Sequence, residues 1–391
     1  MTILDNVKGN AMFFFFFFLF IMLLVYISTK LSKNEDNCET IQKMRFTDEN
    51  SIEEFLNLDD LNDMKYFTGK VTIASTVQDY DYKLKDFYIK TAHNCFCNGY
   101  YKNGHVNVCA LENCASYGVR ALDLQIFSKD KKPIVATSSY SQNEIKESFN
   151  EIPLEKAFDL INQTYFVKEL FIENGISDVK NNMKKDPLFL ILRLHYGSNK
   201  DEKVYDETTT KNQINFYNSI KTALDSSFDR DKFTRDFTEE KNVAVPNMKM
   251  MDTKDKIFVF VILNDEPTYE KVKQSDLNDM VDLYGEDLDN YRFNELNNTD
   301  GAYTMNKYKS QNNLSLCLPT WSSHHANYDF TQAFKRGTQF VGMNYQNYDS
   351  YLNYYNSFFV EQIADAGTKT SPYIKKPDHM IDVDLKDLYE S

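Results

Sequence analysis

The sequence predicts an α/β fold built on a parallel sheet covered on both faces. Three observations carry that expectation. First, nearly unbroken apolar runs at residues 70–74, 87–92, 119–127, 188–194 and 257–263 have the texture of fully buried strands. The run Ile257-Phe258-Val259-Phe260-Val261-Ile262 is almost wholly β-branched or aromatic. Second, amphipathic helical patterns at residues 154–166 and 212–224 lie between runs, as crossover helices do. Third, two runs end in groups that carry chemistry. Residues 87–92 deliver His93-Asn94, and about thirty residues on the run 118–125 delivers Asp123. Barrel enzymes place bases and metal ligands at strand ends in this way.

Bulk properties narrow the function. The chain has 391 residues and 42% hydrophobic content, enough for one large domain or two small ones. A formal charge of -14 opposes binding to nucleic acid and electrostatic docking on an anionic membrane face. With 12 Gly and 8 Pro, collagen-like or linker-rich architectures are excluded. The 30 Phe and 26 Tyr fit an A/T-rich coding texture as well as any functional bias.

The organisation expected along the chain begins with a tail over residues 1–10 and a membrane anchor over residues 11–28. The uncharged stretch 11–27 contains six consecutive Phe, Phe13 to Phe18, and reaches the lower end of the ~17–25 residues that span a bilayer. A cleaved signal peptide is the competing reading. Its apolar region would be ~7–15 residues long, and Tyr26-Ile27-Ser28-Thr29-Lys30 is a poor small-residue cleavage site. Residues 29–65 are polar and acidic and read as a stalk. A first barrel half follows over 66–263, an irregular charged linker over 264–276, a second half over 277–380 and an acidic tail over 381–391. Orientation is contested. Lys30, Lys33, Lys43 and Arg45 favour a cytoplasmic barrel, whereas six cysteines and the sequons at Asn162, Asn297 and Asn313 favour an oxidising compartment.

Several segments, taken in order, resemble the catalytic barrel of eukaryotic phosphoinositide-specific phospholipase C. Ala92-His93-Asn94, Gly118-Val119-Arg120 with Asp123, and the strand 187–193 resemble its X half. Leu314-Ser315 followed by Pro319, Asn327-Tyr328, Arg336 to Gln346 and Tyr373 to Pro377 resemble its Y half. The resemblance implies a distorted TIM-like (β/α) barrel, with no room in this chain for the family's pleckstrin, EF-hand and C2 modules. It also implies attack of a neighbouring inositol hydroxyl on a phosphodiester, assisted by two His and a calcium ion. Calcium takes about six to eight oxygen ligands.

On this pattern His93 matches the first catalytic His, Asn94 a neutral calcium ligand, and Asp123 a Glu ligand shortened by one methylene. The remaining positions depart from the family. Gln125 stands for a metal Asp, Thr137 for the second His and Arg193 for the third metal carboxylate. Phe260 and Ile262 replace phosphate-binding lysines, and the substrate Arg falls near Ser322. Glu144, Glu147 and His195 are candidate substitutes that no spacing places. Asp123 and Arg193 are expected to form a buried ion pair, with charged groups within about 6 Å, where calcium would sit.

Cys95, Cys97, Cys109 and Cys114 cluster around His93 and are candidates for one or two disulfides. Free thiols, or a zinc site with His93 and His105, are the alternatives. Cys38 and Cys317 lie apart. His195 is expected to be a packed strand-end residue, and His324 and His325 loop residues.

The reading is a membrane-anchored, catalytically degraded barrel that serves as a structural or binding protein. Its expected partners are the bilayer and other membrane or capsid proteins, not nucleic acid, and its texture suggests a large DNA virus. No cofactor is expected, save calcium if the family's site is retained. The alternatives are an active, metal-independent phosphodiesterase with His93 as general base and Arg193 at the phosphate, and a headgroup-binding module without catalysis.

Overall fold

Eight parallel strands follow one another around a curled sheet: β1 (Phe87–Ala92), β2 (Ala121–Lys129), β3 (Leu188–His195), β4 (Ile257–Ile262), β5 (Leu283–Tyr284), β6 (Asp289–Arg292), β7 (Ser315–Leu318) and β8 (Phe340–Met343). Hydrogen-bonded neighbours run β6-β7-β8-β1-β2-β3-β4-β5, so chain order is preserved around the ring. Among the described residues no ladder joins β5 to β6, which leaves a seam in a distorted TIM-like barrel. The computed structural model describes residues 3–47, 82–140, 145–167, 186–196, 207–235, 238, 242–263, 266–298, 312–322, 325–363 and 367–381. The expected strand at 70–74, Glu144, His324 and the tail beyond Ile381 lie outside these residues.

Period-two alternation sorts each strand into an inner and an outer face. Inward residues Phe87, Ile89, Phe189, Ile191, Phe258, Phe260, Leu316 and Phe340 form one buried interior cluster. Phe189 stacks on Phe258 at 4.7 Å and meets Phe340 edge-on at 5.2 Å. Each such ring contributes roughly 1.5–3 kcal/mol by burial. Outward residues Leu122, Leu124, Leu190, Leu192, Val259 and Val261 join the larger cluster under the helices.

Five helices matter for the site. The first, α1 (Ile3–Thr47), contains the stretch Ala11–Lys30, long and apolar enough to cross a membrane, a test that a signal sequence also passes. The second, α2 (Val108–Ser116), starts at Asn107, whose side chain accepts from the Cys109 N–H at 3.1 Å. The amphipathic patterns form α3 (Leu154–Asn162) and α4 (Glu207–Ser227). Leu154, Ala157, Phe158 and Ile161 of α3 and Phe216, Tyr217, Ile220 and Leu224 of α4 pack on the outer face.

Three expectations need correction. The linker over 264–276 is not irregular: Glu266–Lys273 forms α5. Pro267 is tolerated in a first turn, and Lys271 and Lys273 complement the dipole of the last. The stalk expected over 29–65 is not set apart from the barrel where it is described: α1 runs without a break to Thr47 and is tied to the barrel, and residues 48–65 lie outside the described residues. The tie is a disulfide between Cys38 and Cys109, with Cα atoms 5.8 Å apart. Of the four clustered cysteines only Cys109 is bonded, to Cys38, one of the two that lie apart in the sequence. Cys95, Cys97 and Cys114 are buried free thiols. Apolar burial pushes all three above their ordinary range, which favours the inert thiol form.

Candidate functional site

The carboxyl ends of β1, β2 and β3 bring His93, Asn94, Asp123 and Arg193 together at the barrel mouth. Register explains the meeting. Ala92 pairs with Leu122, which sets His93 level with Asp123. Gln125 pairs with Arg193, so the Arg side chain starts one inward position above Asp123 and folds down onto it.

Arg193 forks onto the carboxylate. Its Nε donates to Asp123 Oδ1 at 2.6 Å and its Nη2 to Oδ2 at 2.7 Å. The same Nη2 donates to Asn94 Oδ1 at 2.7 Å. The expected ion pair is therefore present, bidentate and buried. Burial alone would raise the Asp123 pKa, but the Arg193 charge, reinforced by His93, holds it well below the usual carboxylate range.

His93 lies under this pair, 2% exposed. Its Nδ1 is 2.5 Å from Asp123 Oδ2. An ionised carboxylate only accepts, so Nδ1 carries the proton and donates it. The 3.3 Å approach of Arg193 Nη2 to Nδ1 is then a contact between two donors. That tautomer leaves Nε2 as the acceptor, and the Asn94 side-chain amide donates to it at 3.2 Å. Both ring nitrogens are engaged. Burial pushes the His93 pKa down to about 4, the Asp123 charge opposing and the Arg193 charge adding to the depression.

The positions that depart from the family pattern have structural uses here. Gln125 clamps the backbone of Ser138, donating to its carbonyl at 3.1 Å and accepting from its N–H at 3.0 Å. The Thr137 hydroxyl donates to the Tyr101 carbonyl at 2.8 Å. The Tyr101 ring meets His93 edge-on, with centroids 5.5 Å apart, and its hydroxyl donates to Asn344. Thr137 thus supports a lid over the first His. Phe260 and Ile262 belong to the apolar interior. Of the proposed substitutes, Glu147 is committed to the neighbouring loop, accepting from the Ser139 N–H at 2.7 Å and its hydroxyl at 2.5 Å. His195 stacks on Phe127 at 4.5 Å, buried away from the cluster's hydrogen bonds, with its pKa pushed down by burial to about 3.

Four residues of the site were missed by sequence reasoning. Arg292, at the end of β6, stacks its guanidinium 3.6 Å over the ring of Trp321 and donates to the Pro319 carbonyl at 3.0 Å. Burial, with the nearby Arg193 charge, lowers its pKa to about 9. Arg193 approaches the same ring at 5.6 Å. Trp321 is the single Trp of the chain and precedes Ser322, where a substrate Arg was sought. That rarity was the available signal. Gly342 also matters, because a Cβ there would sit 2.8 Å from Leu318 Cδ2 and 3.3 Å from His93 Cβ. Nothing in the sequence pointed to Tyr101.

Calcium does not fit these residues. Both Asp123 oxygens and Asn94 Oδ1 already accept from cations or His93, Gln125 is neutral and clamped, and Arg193 carries a positive charge into the same space. Nor do the described residues contain a group of three or more His, Cys, Asp and Glu suited to any metal, zinc at the cysteine cluster included.

No protein-family model and no curated protein matches the chain. Solved structures do. L. pealei PLC21 matches with a TM-score of 0.53 and 16% identity, and S. officinalis PLC21 with 0.54 and 13%. Both matches cover 78% of this chain and 38% of the other, so the chain spans well under half the length of either. The fold is that of a phosphoinositide-specific phospholipase C-like barrel.

Proposed function

We propose that this chain is a membrane-anchored, phospholipase C-like barrel in which an ion pair has taken the place of the metal, and that it acts as a structural or binding protein and not as a hydrolase. One observation carries the reading: the Arg193 guanidinium occupies both residues, Asp123 and Asn94, that the family resemblance assigns to calcium. Two others support it. His93 is buried with both ring nitrogens engaged, and Thr137 holds the Tyr101 lid. Loss of one general acid or base costs roughly 10²–10⁴ in rate, and loss of charge stabilisation at a phosphoryl group costs about as much again.

The anchor reading rests on the apolar stretch Ala11–Lys30. The Cys38–Cys109 bond supports an oxidising compartment for the barrel. A metal-independent phosphodiesterase is the second reading. It is favoured by Arg193 Nη1, buried without a hydrogen-bond partner among the described residues, and by the guanidinium of Arg292 beside it. Release of water-soluble phosphates from phosphoinositide vesicles by the purified full chain, with and without calcium, separates the two. The proposal expects no release above that of a His93→Ala control. Turnover abolished by His93→Ala establishes the second reading instead.

A further inference from the structure

A cavity of about 290 Å³ lies between α1 and the loops at the barrel mouth. On the helix side it is lined by Lys30, Lys33, Asn37 and Thr40, spaced along one helical face. A helix laid against a protein ordinarily turns an apolar stripe inward. Here a polar, cationic stripe faces inward and leaves space beneath it. The helix is held over that space by the Cys38–Cys109 bond, by Lys30 Nζ 4.7 Å above the Phe149 ring, and by Asn37 donating to the Asn98 carbonyl at 3.4 Å. Gly99 allows the close approach: it has φ +102, and a Cβ there would lie 2.8 Å from Asn37 Nδ2.

The barrel side contributes His105 and His325. His105 is 8% exposed and tilts against Phe149 at 5.4 Å. Among the described residues no carboxylate lines the cavity. His93, Asn94, Asp123 and Arg193 do not line it either, so it is separate from the site described above.

We propose that this cavity binds a phosphate-bearing anion, supplied by the headgroup of an acidic phospholipid in the leaflet that α1 enters. Two lysine ammonium groups, with two imidazoles able to donate hydrogen bonds and no acid among the described lining residues, select for negative charge. The volume lies at the small end of ligand pockets, roughly 300 Å³ upward, as suits a headgroup phosphate. Lys30 is the last residue of the stretch able to cross a membrane and Lys33 follows one turn later, which sets the cavity at headgroup depth. The lipid source rests on the anchor reading above. The anion site does not, because the residues that line it remain if the helix is cleaved before Lys30.

The test uses the full chain in phosphatidylcholine nanodiscs, with and without a minor fraction of phosphatidic acid. Retained phosphatidic acid is counted by mass spectrometry after detergent exchange, and inorganic phosphate binding is titrated calorimetrically in a parallel arm. Alkaline extraction and N-terminal sequencing report separately on the anchor. If the chain proves cleaved, the phosphate arm on the mature chain decides the site. The wild type should retain phosphatidic acid, and Lys30→Gln/Lys33→Gln should weaken retention by about tenfold or more. Lys132→Gln/Lys211→Gln removes the same charge from elsewhere and should leave retention unchanged. Mapping of the Cys38–Cys109 bond verifies the fold of each variant. Binding of inorganic phosphate without lipid, lost in the first variant alone, upholds the anion site and assigns it a soluble ligand. Binding of neither probe, or equal losses in both double variants, overturns the proposal.

Discussion

At the floor of the barrel, Phe189, Phe258, Phe260 and Phe340 fill the interior with stacked and edge-on rings. At the mouth, the same strands and their neighbours carry Asp123, Gln125, Arg193 and Arg292, every charge matched to a partner or a ring. The floor tolerates exchange among apolar side chains because burial has no directional requirement. The mouth is directional: Arg193 fits only because Asp123 and Asn94 present oxygens where its fork falls. Phe260 and Ile262 show the apolar floor extending upward into positions that the family resemblance assigns to lysines. The floor is held by burial alone, and the mouth by paired charges and directed hydrogen bonds.

The largest effects should come from unbalancing the mouth. Asp123→Asn or Arg193→Met alone leaves a buried charge uncompensated and should cost about 3–5 kcal/mol in urea unfolding. The double variant Asp123→Leu/Arg193→Met should recover the loss and range from neutral to about 4 kcal/mol more stable. A loss in the double variant equal to the sum of the singles would show that the pair is not a unit. At the floor, Phe189→Ala should cost about 3–5 kcal/mol through the cavity it leaves, with no recovery available from a second substitution at the mouth.

Acid titration separates the regions without mutation, because the stacked phenylalanine rings of the floor do not titrate. His93 has a folded pKa of about 4 against an ordinary 6.5. The unfolded chain therefore binds the proton first, and stability that is complete above pH 6.5 is lost as the pH falls through 4. The loss is on the order of 3 kcal/mol, and His195, at about 3, extends it to lower pH. His93→Gln should lower the slope of the profile between pH 6.5 and 4 by about half, the remainder belonging to His195. An unchanged profile would mean that His93 is protonated in the folded state.

Removing the Cys38–Cys109 bond by Cys38→Ser should cost roughly 2–4 kcal/mol and expose the segment after Lys30 to limited proteolysis. The smallest effect expected is that of Gly342→Ala, about 1–3 kcal/mol. It should also shift the His93 imidazole resonances, since the new methyl group would press on Leu318 and His93.

The fold was legible because its signals are local. Runs such as 188–194 and 257–263 announce buried strands, and the patterns at 154–166 and 212–224 became α3 and α4. The pairing of Asp123 with Arg193 was also legible, since two opposite charges fell at neighbouring ligand positions of one strand pattern. Arg292, Tyr101 and Cys38 were not. Each reaches its partner across a span that no local period encodes: Arg292 from the far side of the ring, Tyr101 from a loop folded back over the mouth, and Cys38 from a helix 71 residues away from Cys109. The linker at 264–276 was misjudged because its charges suggested solvent, whereas α5 needs only one apolar edge, supplied by Tyr269 and Val272.

The central claim is that a guanidinium stands where a calcium ion would sit. Calcium titrated calorimetrically into the full chain, against an Asp123→Asn control, tests it most directly. The account predicts that wild type and variant give the same weak, unsaturable heats from the acidic surface. Saturable calcium binding by the wild type that Asp123→Asn abolishes would contradict it.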